Sequence, residues 1–400
     1  MSASMLTFSP SLPVREPDNA GTRYVRDVLD ALPPQLEPTV VVPDGPSVQR
    51  SIAAQPTVPY RVLESPPAAR AEIVRRSRAL LSLQAPRGFA WHLEHSEDLR
   101  QRVATAEVID LQWIEQAMLI GRLRAINPRA HIVTTVHDVL SQRFGRQVDA
   151  ATDPLRKARW RWAEFQARRL ERAVTDTSDT VVVLSEKDRR LMPSGTATVV
   201  TVVPPLADSR TTIERDPQAD TILFVGYLAR WENEQGILWF LDKVLPRVRA
   251  QRPDVRMVIA GGGLRDTVIE AAGRADAELL GFVEDLTPLY RTASVSVIPL
   301  QLGAGVKFKT VDSLAASVPV VTTRVGAEGI GESRPDGGNG LFHAVADDPA
   351  SFAQGILDVL RAPKRAERLA IEAQHWVRGA YGHEQFQQTM HEVYGRRRSL

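Results

Sequence analysis

Between Pro299 and Gly331 the chain reads PLQLGAGVKFKTVDSLAASVPVVTTRVGAEGIG: a strand end, a glycine-rich loop, a helix, a strand and a second glycine loop. Glycines at 303 and 305 let the backbone turn its N–H groups outward, and a helix beginning near Phe308 aims the positive end of its dipole at the same place. Such a loop is a seat for an anion. Lys307 and Lys309 fall inside it, although only six of the fifty basic residues of the chain are lysine. In a chain that otherwise writes arginine, two lysines two apart read as compact point charges for phosphate. Simple chain reversal in an α/β protein is the other reading of the loop taken alone. The loop is too short for a P-loop. No G-x-G-x-x-G with an acid about twenty residues on accompanies it, so a dinucleotide is not expected. What remains is a phosphate-bearing ligand gripped without an obvious metal.

The elements that must position this loop follow from composition and period. At 400 residues, 43% hydrophobic and 24% charged, the chain is long enough for two domains with sizeable cores. No run approaches eighteen apolar residues, and the N-terminus MSASMLTFSPSLP lacks the pattern of a secretion signal, so a cytoplasmic protein is expected. The absence of cysteine excludes disulfides, thiolate metal sites and a cysteine nucleophile. A net charge of +2 names no partner, and none is expected among nucleic acids.

Apolar, β-branched strands are expected at 5–8, 39–42, 107–111, 130–136, 180–184 and 197–203. Helices are expected at 22–32, 69–83, 115–126 and 154–174. After the polar stretch SRTTIERDPQAD the alternation resumes, with strands at 221–225, 255–260, 278–280, 294–299 and 318–322. Helices fall at 234–251 and 264–272, and further helices follow from about Pro349. Alternation of this kind predicts two doubly wound parallel sheets, Rossmann-like and facing each other across a cleft. The expected domains are 1–208, a linker at 209–220, 221–380, and a C-terminal helix at 381–400 returning to the first domain. Ligands of such sheets bind beyond the carboxyl ends of the strands, where the glycine loop lies.

The motifs ILFVGYLARWEN, WFLDKVLP, GFVEDLTPLY and GAGVKFKTVDSLAASVPVVTTRVGAEGI, in this order and spacing, resemble the family 4 glycosyltransferases of the GT-B fold, in their glycine-rich-loop subgroup. The resemblance covers about 221–360; VTTVHDV, DTSDTVVVLSEKD and PPLAD extend it more loosely to the first half. It implies an acceptor-side first domain and a donor-side second domain. Gly303, Ala304 and Gly305 would cradle the donor diphosphate, with Lys307 and Lys309 neutralising it. Asp312 stands where the family usually has Glu to bind the ribose hydroxyls; a helix-surface acid near an N-terminus is the alternative reading. The backbone at Phe282 and Val283 would receive the base, and Glu328 and Gly329 would lie near sugar or phosphate. Gly226, Arg230 and Asn233 occupy the loop in which many members place an Arg and a Lys, and Arg230 is the candidate replacement. The first carboxylate of the family's E-x7-E pair is replaced by Ala304, which leaves the donor sugar open.

In the first domain the resemblance places His137 between donor sugar and acceptor; a structural histidine is the alternative. Asp138 is expected to orient its ring or cap a helix. Gly21, beside Ala20 ahead of the first helix, would approach the phosphate, or serve helix capping. With His137, Lys307 and Asp312 as catalytic residues and no D-x-D, the implied reaction is metal-independent, retaining transfer from an NDP-sugar, UDP or GDP, to a hydroxyl of a glycan, lipid-linked or natural-product acceptor. No cofactor is expected. A GT-B-type sugar-nucleotide epimerase and a non-catalytic sugar-nucleotide-binding paralogue are the rival readings. The basic stretch PLRKARWRWAEFQARRLERA at 154–173 would either touch an anionic membrane or lie solvated on the first domain. The oligomeric state stays open.

Overall fold

The computed structural model describes residues 3–14, 20–56, 58–65, 87–206, 213–218, 220–332, 334 and 336–395. The helix expected at 69–83 and residues 209–212 and 219 of the expected linker lie outside them. The chain divides into two compact units, Met1–Pro205 with His383–Leu400, and Leu206–Gly382.

In the first unit seven parallel strands run in the order β3-β2-β1-β4-β5-β6-β7. They are β1 Ala3–Phe8, β2 Leu36–Pro43, β3 Tyr60–Leu63, β4 Val108–Gln112, β5 His131–Val136, β6 Thr180–Val183 and β7 Thr198–Thr201. Period-two alternation splits β4 between the two faces of the sheet. Ile109 and Leu111 enter the large apolar core with Leu6, Phe8, Ile132 and Val181. Asp110 and Gln112, both fully buried, point the other way. That second face is covered by helix Ala20–Asp30, through Tyr24, and by the C-terminal helix His383–Gly395, whose Tyr394 hydroxyl donates to Asp110 Oδ1 at 2.9 Å.

The second unit holds six parallel strands in the order β10-β9-β8-β11-β12-β13. These are β8 Thr221–Val225, β9 Arg256–Ala260, β10 Glu278–Gly281, β11 Val295–Ile298, β12 Val320–Thr322 and β13 Ala344–Val345. Both faces are apolar, as a parallel sheet covered by crossover helices requires. Ile222 and Phe224 join a core with Ile259, Val297, Phe240 and Phe352, whereas Leu223 between them joins Val258 and Val318 on the opposite face.

Single long helices expected from periodicity are broken at identifiable places. The stretch expected at 234–251 is a helix Trp231–Trp239, a π turn Phe240–Val244 and a helix Leu245–Arg249. Pro246 offers no N–H and crowds the carbonyl of residue 242, and the π turn widens the helix there. The stretch expected at 115–126 starts as a 3₁₀ turn, Ile114–Leu119, before the α-helix Ile120–Ile126. Gly21, expected ahead of the first helix, lies inside its first turn, because the helix begins at Ala20.

Candidate functional site

All loops that follow the strands of the second unit leave from one sheet edge. Three strand ends, those of β8, β9 and β10, are clamped together by backbone: Gly226 N donates to Ala260 O at 2.9 Å, Leu228 N to Gly262 O at 2.8 Å and Gly261 N to Gly281 O at 2.7 Å. A Cβ at Gly261 would stand 1.8 Å from Gly226 O, so only glycine fits. Beside this clamp the anion loop turns through positive φ at Gly303 (+121°) and Gly305 (+71°), conformations natural to glycine. It ends at Lys307, the N-cap of helix Phe308–Ala315.

The two lysines are used differently. Lys307 Nζ arches back over the loop and donates to the carbonyls of Ala304 (2.8 Å) and Gly305 (2.5 Å). Glu232, buried in the first turn of helix Trp231–Trp239, lies against the same loop: a Cβ on Gly303 would be 3.7 Å from its Cγ. Lys309 is half-buried and reaches to the neighbouring strand end. Its Nζ donates to Asn233 Oδ1 at 2.5 Å, stands 5.0 Å from the Phe224 ring centre, and fills the space a Cβ on Gly226 would need, 2.6 Å away. Asn233 is held in turn by its Nδ2, which donates to Tyr227 O at 2.7 Å. Desolvation, then the charges of Arg230 and Lys307, push the Lys309 ammonium down to about 7, with Glu232 opposing. The result is a cation-rich loop cluster in which Gly226, Arg230, Asn233, Gly303, Ala304, Gly305, Lys307 and Lys309 come together.

The remaining second-unit candidates ring this cluster. Asp312 lies one turn into the same helix, half-buried. Glu328 and Gly329 (φ +75°) follow the short helix Arg324–Ala327. That second glycine loop is tied to the first helix by Thr310 Oγ1, which donates to Gly326 O at 2.8 Å. Phe282 is 72% exposed, and Val283 follows it half-buried. A Cβ on Gly262 would meet both Phe282, at 3.6 Å, and Tyr227, at 4.0 Å. Sequence reasoning passed over Glu232 and the run Gly261–Gly263. The triple glycine after a strand was the available signal for the second; nothing in the residue order marks the first. Among the described residues no group of three His, Asp or Glu side chains is arranged to hold a metal ion.

The first unit has its own polar centre. His137 follows β5 directly, and its ring is sandwiched by aromatic neighbours. Trp113 stacks on it at 4.2 Å and 6°, and Tyr24 meets it edge-on at 5.1 Å. Trp113 takes φ +72°, rare for so bulky a residue. The ring's hydrogen-bond partner is Gln112 Oε1, 3.2 Å from Nε2, and not the neighbouring Asp138. Gln112 Nε2 donates to both oxygens of Asp110, at 3.1 and 2.9 Å. Burial drives His137 down to about 3, so the imidazole is neutral, and burial raises Asp110 to about 6 against the hydrogen bonds of Gln112 and Tyr394. Asp110, Gln112 and Trp113 were not candidates from sequence, since alternation alone does not tell a buried polar strand face from a solvent face.

Residues 219–362 match the family model described as glycosyl transferases group 1. A Klebsiella pneumoniae protein described as an uncharacterized 44.6 kDa protein in the cps region is 29% identical over 168 residues, 40% of this chain and 42% of the relative. The phosphatidyl-myo-inositol mannosyltransferase of Mycobacterium tuberculosis is 33% identical over 160 residues, 38% of this chain and 40% of the relative. The matched region thus spans less than half the length of these curated relatives. Among solved structures, Anabaena HepE in complex with UDP and glucose aligns with 98% of this chain and 99% of its own at TM-score 0.68 and 12% identity. A mutant of S. aureus TarM in complex with Fondaparinux, alpha-GlcNAc-glycerol and UDP aligns with 98% and 100% at TM-score 0.68 and 9% identity. The two parallel-sheet units are those of the GT-B fold.

Proposed function

We propose, from a C-terminal unit that matches glycosyl transferases group 1 in a chain of GT-B fold, that this protein transfers a sugar from a nucleoside diphosphate donor to an acceptor hydroxyl. The observation that carries this reading is the cation-rich glycine loop at the edge of the second sheet. There Lys309 feels the charges of Arg230 and Lys307, beside backbone that turns through positive φ at Gly303 and Gly305. A diphosphate leaving group departs when its developing charge is met by fixed donors and cations. Lys307 and the loop N–H groups supply that here, and Lys309 adds a cation that anion binding protonates.

Asp312 accepts the ribose hydroxyls, the backbone at Phe282 and Val283 receives the base, and Glu328 and Gly329 border the sugar. Ala304 brings no side chain to the sugar hydroxyls. The same inventory supports metal-independent transfer with retention, in which the leaving phosphate takes the acceptor proton and no protein nucleophile is used. UDP is the nucleotide we favour, since HepE and TarM are solved with UDP. The acceptor class extends to lipid-linked glycans, an idea supported by helix Pro154–Thr177, which exposes Leu155, Trp162 and Phe165 among arginines. Among the described residues no helix is long and apolar enough to cross a membrane.

The experiment is a thermal-shift screen of the full chain against UDP, GDP, ADP, dTDP and their common sugars, with and without EDTA. A ligand at a hundred times its Kd stabilises by about 2.7 kcal/mol. One nucleotide giving an EDTA-insensitive shift supports the reading, and transfer is then sought with that donor. Binding without turnover across a broad acceptor panel would make the chain a non-catalytic paralogue. No shift with any nucleotide would overturn the donor site.

A further inference from the structure

The register of β4 against β5 places Gln112 opposite Thr135, so the residue two further along β5's course, His137, comes up beside the Gln112 side chain. Asp110 lies two residues before Gln112 on the same sheet face, opposite the apolar face of Ile109 and Leu111. Three polar side chains are therefore lined up by strand geometry alone, at 2.9–3.1 Å from Asp110 to Gln112 and 3.2 Å from Gln112 to His137.

Donor and acceptor rules fix the direction of this chain. A carboxylate accepts, and Asp110 already takes the Tyr394 hydroxyl at 2.9 Å as well as the amide. The Gln112 amide must therefore turn its NH₂ to Asp110 and its oxygen to His137. An amide oxygen also accepts, so the hydrogen lies on His137 Nε2 and Nδ1 carries the lone pair. We propose that Asp110 and Gln112 are positioning residues that hold His137 in the Nε2–H tautomer, so that the ring offers Nδ1 to the hydroxyl of a substrate. This rests on the transferase reading only for the identity of that hydroxyl; the tautomer itself does not depend on it.

The ring has little freedom to escape this assignment. Trp113 lies parallel to it and Tyr24 edge-on. Holding that indole in place requires Trp113 at φ +72°, a strained backbone conformation that the surroundings must over-determine. Among the described residues, the ionisable groups facing the chain of hydrogen bonds are Asp110 from β4, Tyr24 from the helix Ala20–Asp30, on which buried Asp27 of the same helix acts, and Tyr394 from the C-terminal helix. Both tyrosines are pushed up by burial and by Asp110, so neither adds charge near neutral pH.

The test is ¹⁵N-histidine NMR of the full chain, with the His137 signals identified by their loss in His137→Gln. At pH 7 we expect a pyrrole-type Nε2 and a pyridine-type Nδ1. Gln112→Met removes the acceptor at similar size and should give averaged tautomers. Gln112→Glu keeps an acceptor at that point and should keep Nε2–H. A side chain that merely fills space would not move the tautomer in Gln112→Met. An Nδ1–H or imidazolium ring in the wild type, or tautomers unchanged in Gln112→Met, overturns the proposal. Should Gln112→Met fail to fold, the wild-type spectrum and Gln112→Glu still decide. Because the readout is the resting ring, a chain that transfers no sugar leaves this result intact, and the two failures remain distinct.

Discussion

An ammonium wedged between Asn233, the Phe224 ring and two other cations gives up its proton more readily than one in water, and Lys309 is accordingly pushed down to about 7. A bound diphosphate restores the charge, so above pH 7 binding must take up a proton and below it need not. The affinity for UDP-glucose, whose diphosphate does not titrate near neutrality, should therefore be flat below pH 7 and fall above it, by at most about tenfold per pH unit. Calorimetry at pH 6, 7 and 8 checks this; Lys309→Met should bind more weakly with no such slope. Lys307→Ala and Asp312→Ala each remove a charge-assisted hydrogen bond on this account, costing ~1.5–3 kcal/mol, about ten- to a hundredfold in kcat/KM. Wild-type turnover in both would remove the site assignment. The lysines and glycines were legible in the sequence because their types are rare or conformationally special in this chain. Glu232 was not, since a buried acid and a surface acid are written with the same letter.

At the scale of loops and helices, two glycines at one sheet edge make opposite predictions. At Gly261 a Cβ would strike the backbone oxygen of Gly226, which cannot move without opening the clamp. Gly261→Ala should lower stability by ~2 kcal/mol or more in urea unfolding. At Gly226 a Cβ would meet the flexible end of Lys309, 2.6 Å away, and the edge of the buried Phe224 ring at 3.2 Å, which need give by only a few tenths of an ångström. Gly226→Ala should leave stability within about 1 kcal/mol while weakening donor binding, by displacing the ammonium. Equal stability losses in the two variants would contradict this packing. Strand positions were legible from apolar β-branched runs, and β8 was read to the residue at Thr221–Val225. Helix interruptions were less so. The π turn at Phe240–Val244 goes with Pro246, a local break that periodicity does not register, and the φ of Trp113 is settled by tertiary packing.

On the scale of the whole chain, the C-terminal helix His383–Gly395 belongs to the first unit and closes the polar face on which His137 sits, through Tyr394 and Phe386. That burial has a pH signature. His137 falls from the ordinary 6.5 to about 3, so its contribution to stability is complete above pH 6.5 and is lost as pH falls from 6.5 toward 3, where the unfolded chain takes up a proton that the folded one refuses. Asp110, raised to about 6, acts in the opposite sense: it disfavours folding above pH 6 and relaxes below it. The stability difference between wild type and His137→Gln isolates the first term. It should shrink on going from pH 7 to pH 5, by at most ~1.4 kcal/mol per unit below 6.5. A pH-independent difference would mean that His137 is not buried neutral.

The central claim is that the Gly303–Lys309 loop and the Gly226–Asn233 loop together hold a nucleoside diphosphate sugar. Hydrogen–deuterium exchange of the full chain, with and without saturating donor from the nucleotide screen, reads that contact along the backbone. Slowed exchange concentrated in 226–234 and 301–312, undiminished by EDTA, is expected. Donor binding that leaves both segments unprotected, or protects only segments of the first unit, would contradict it.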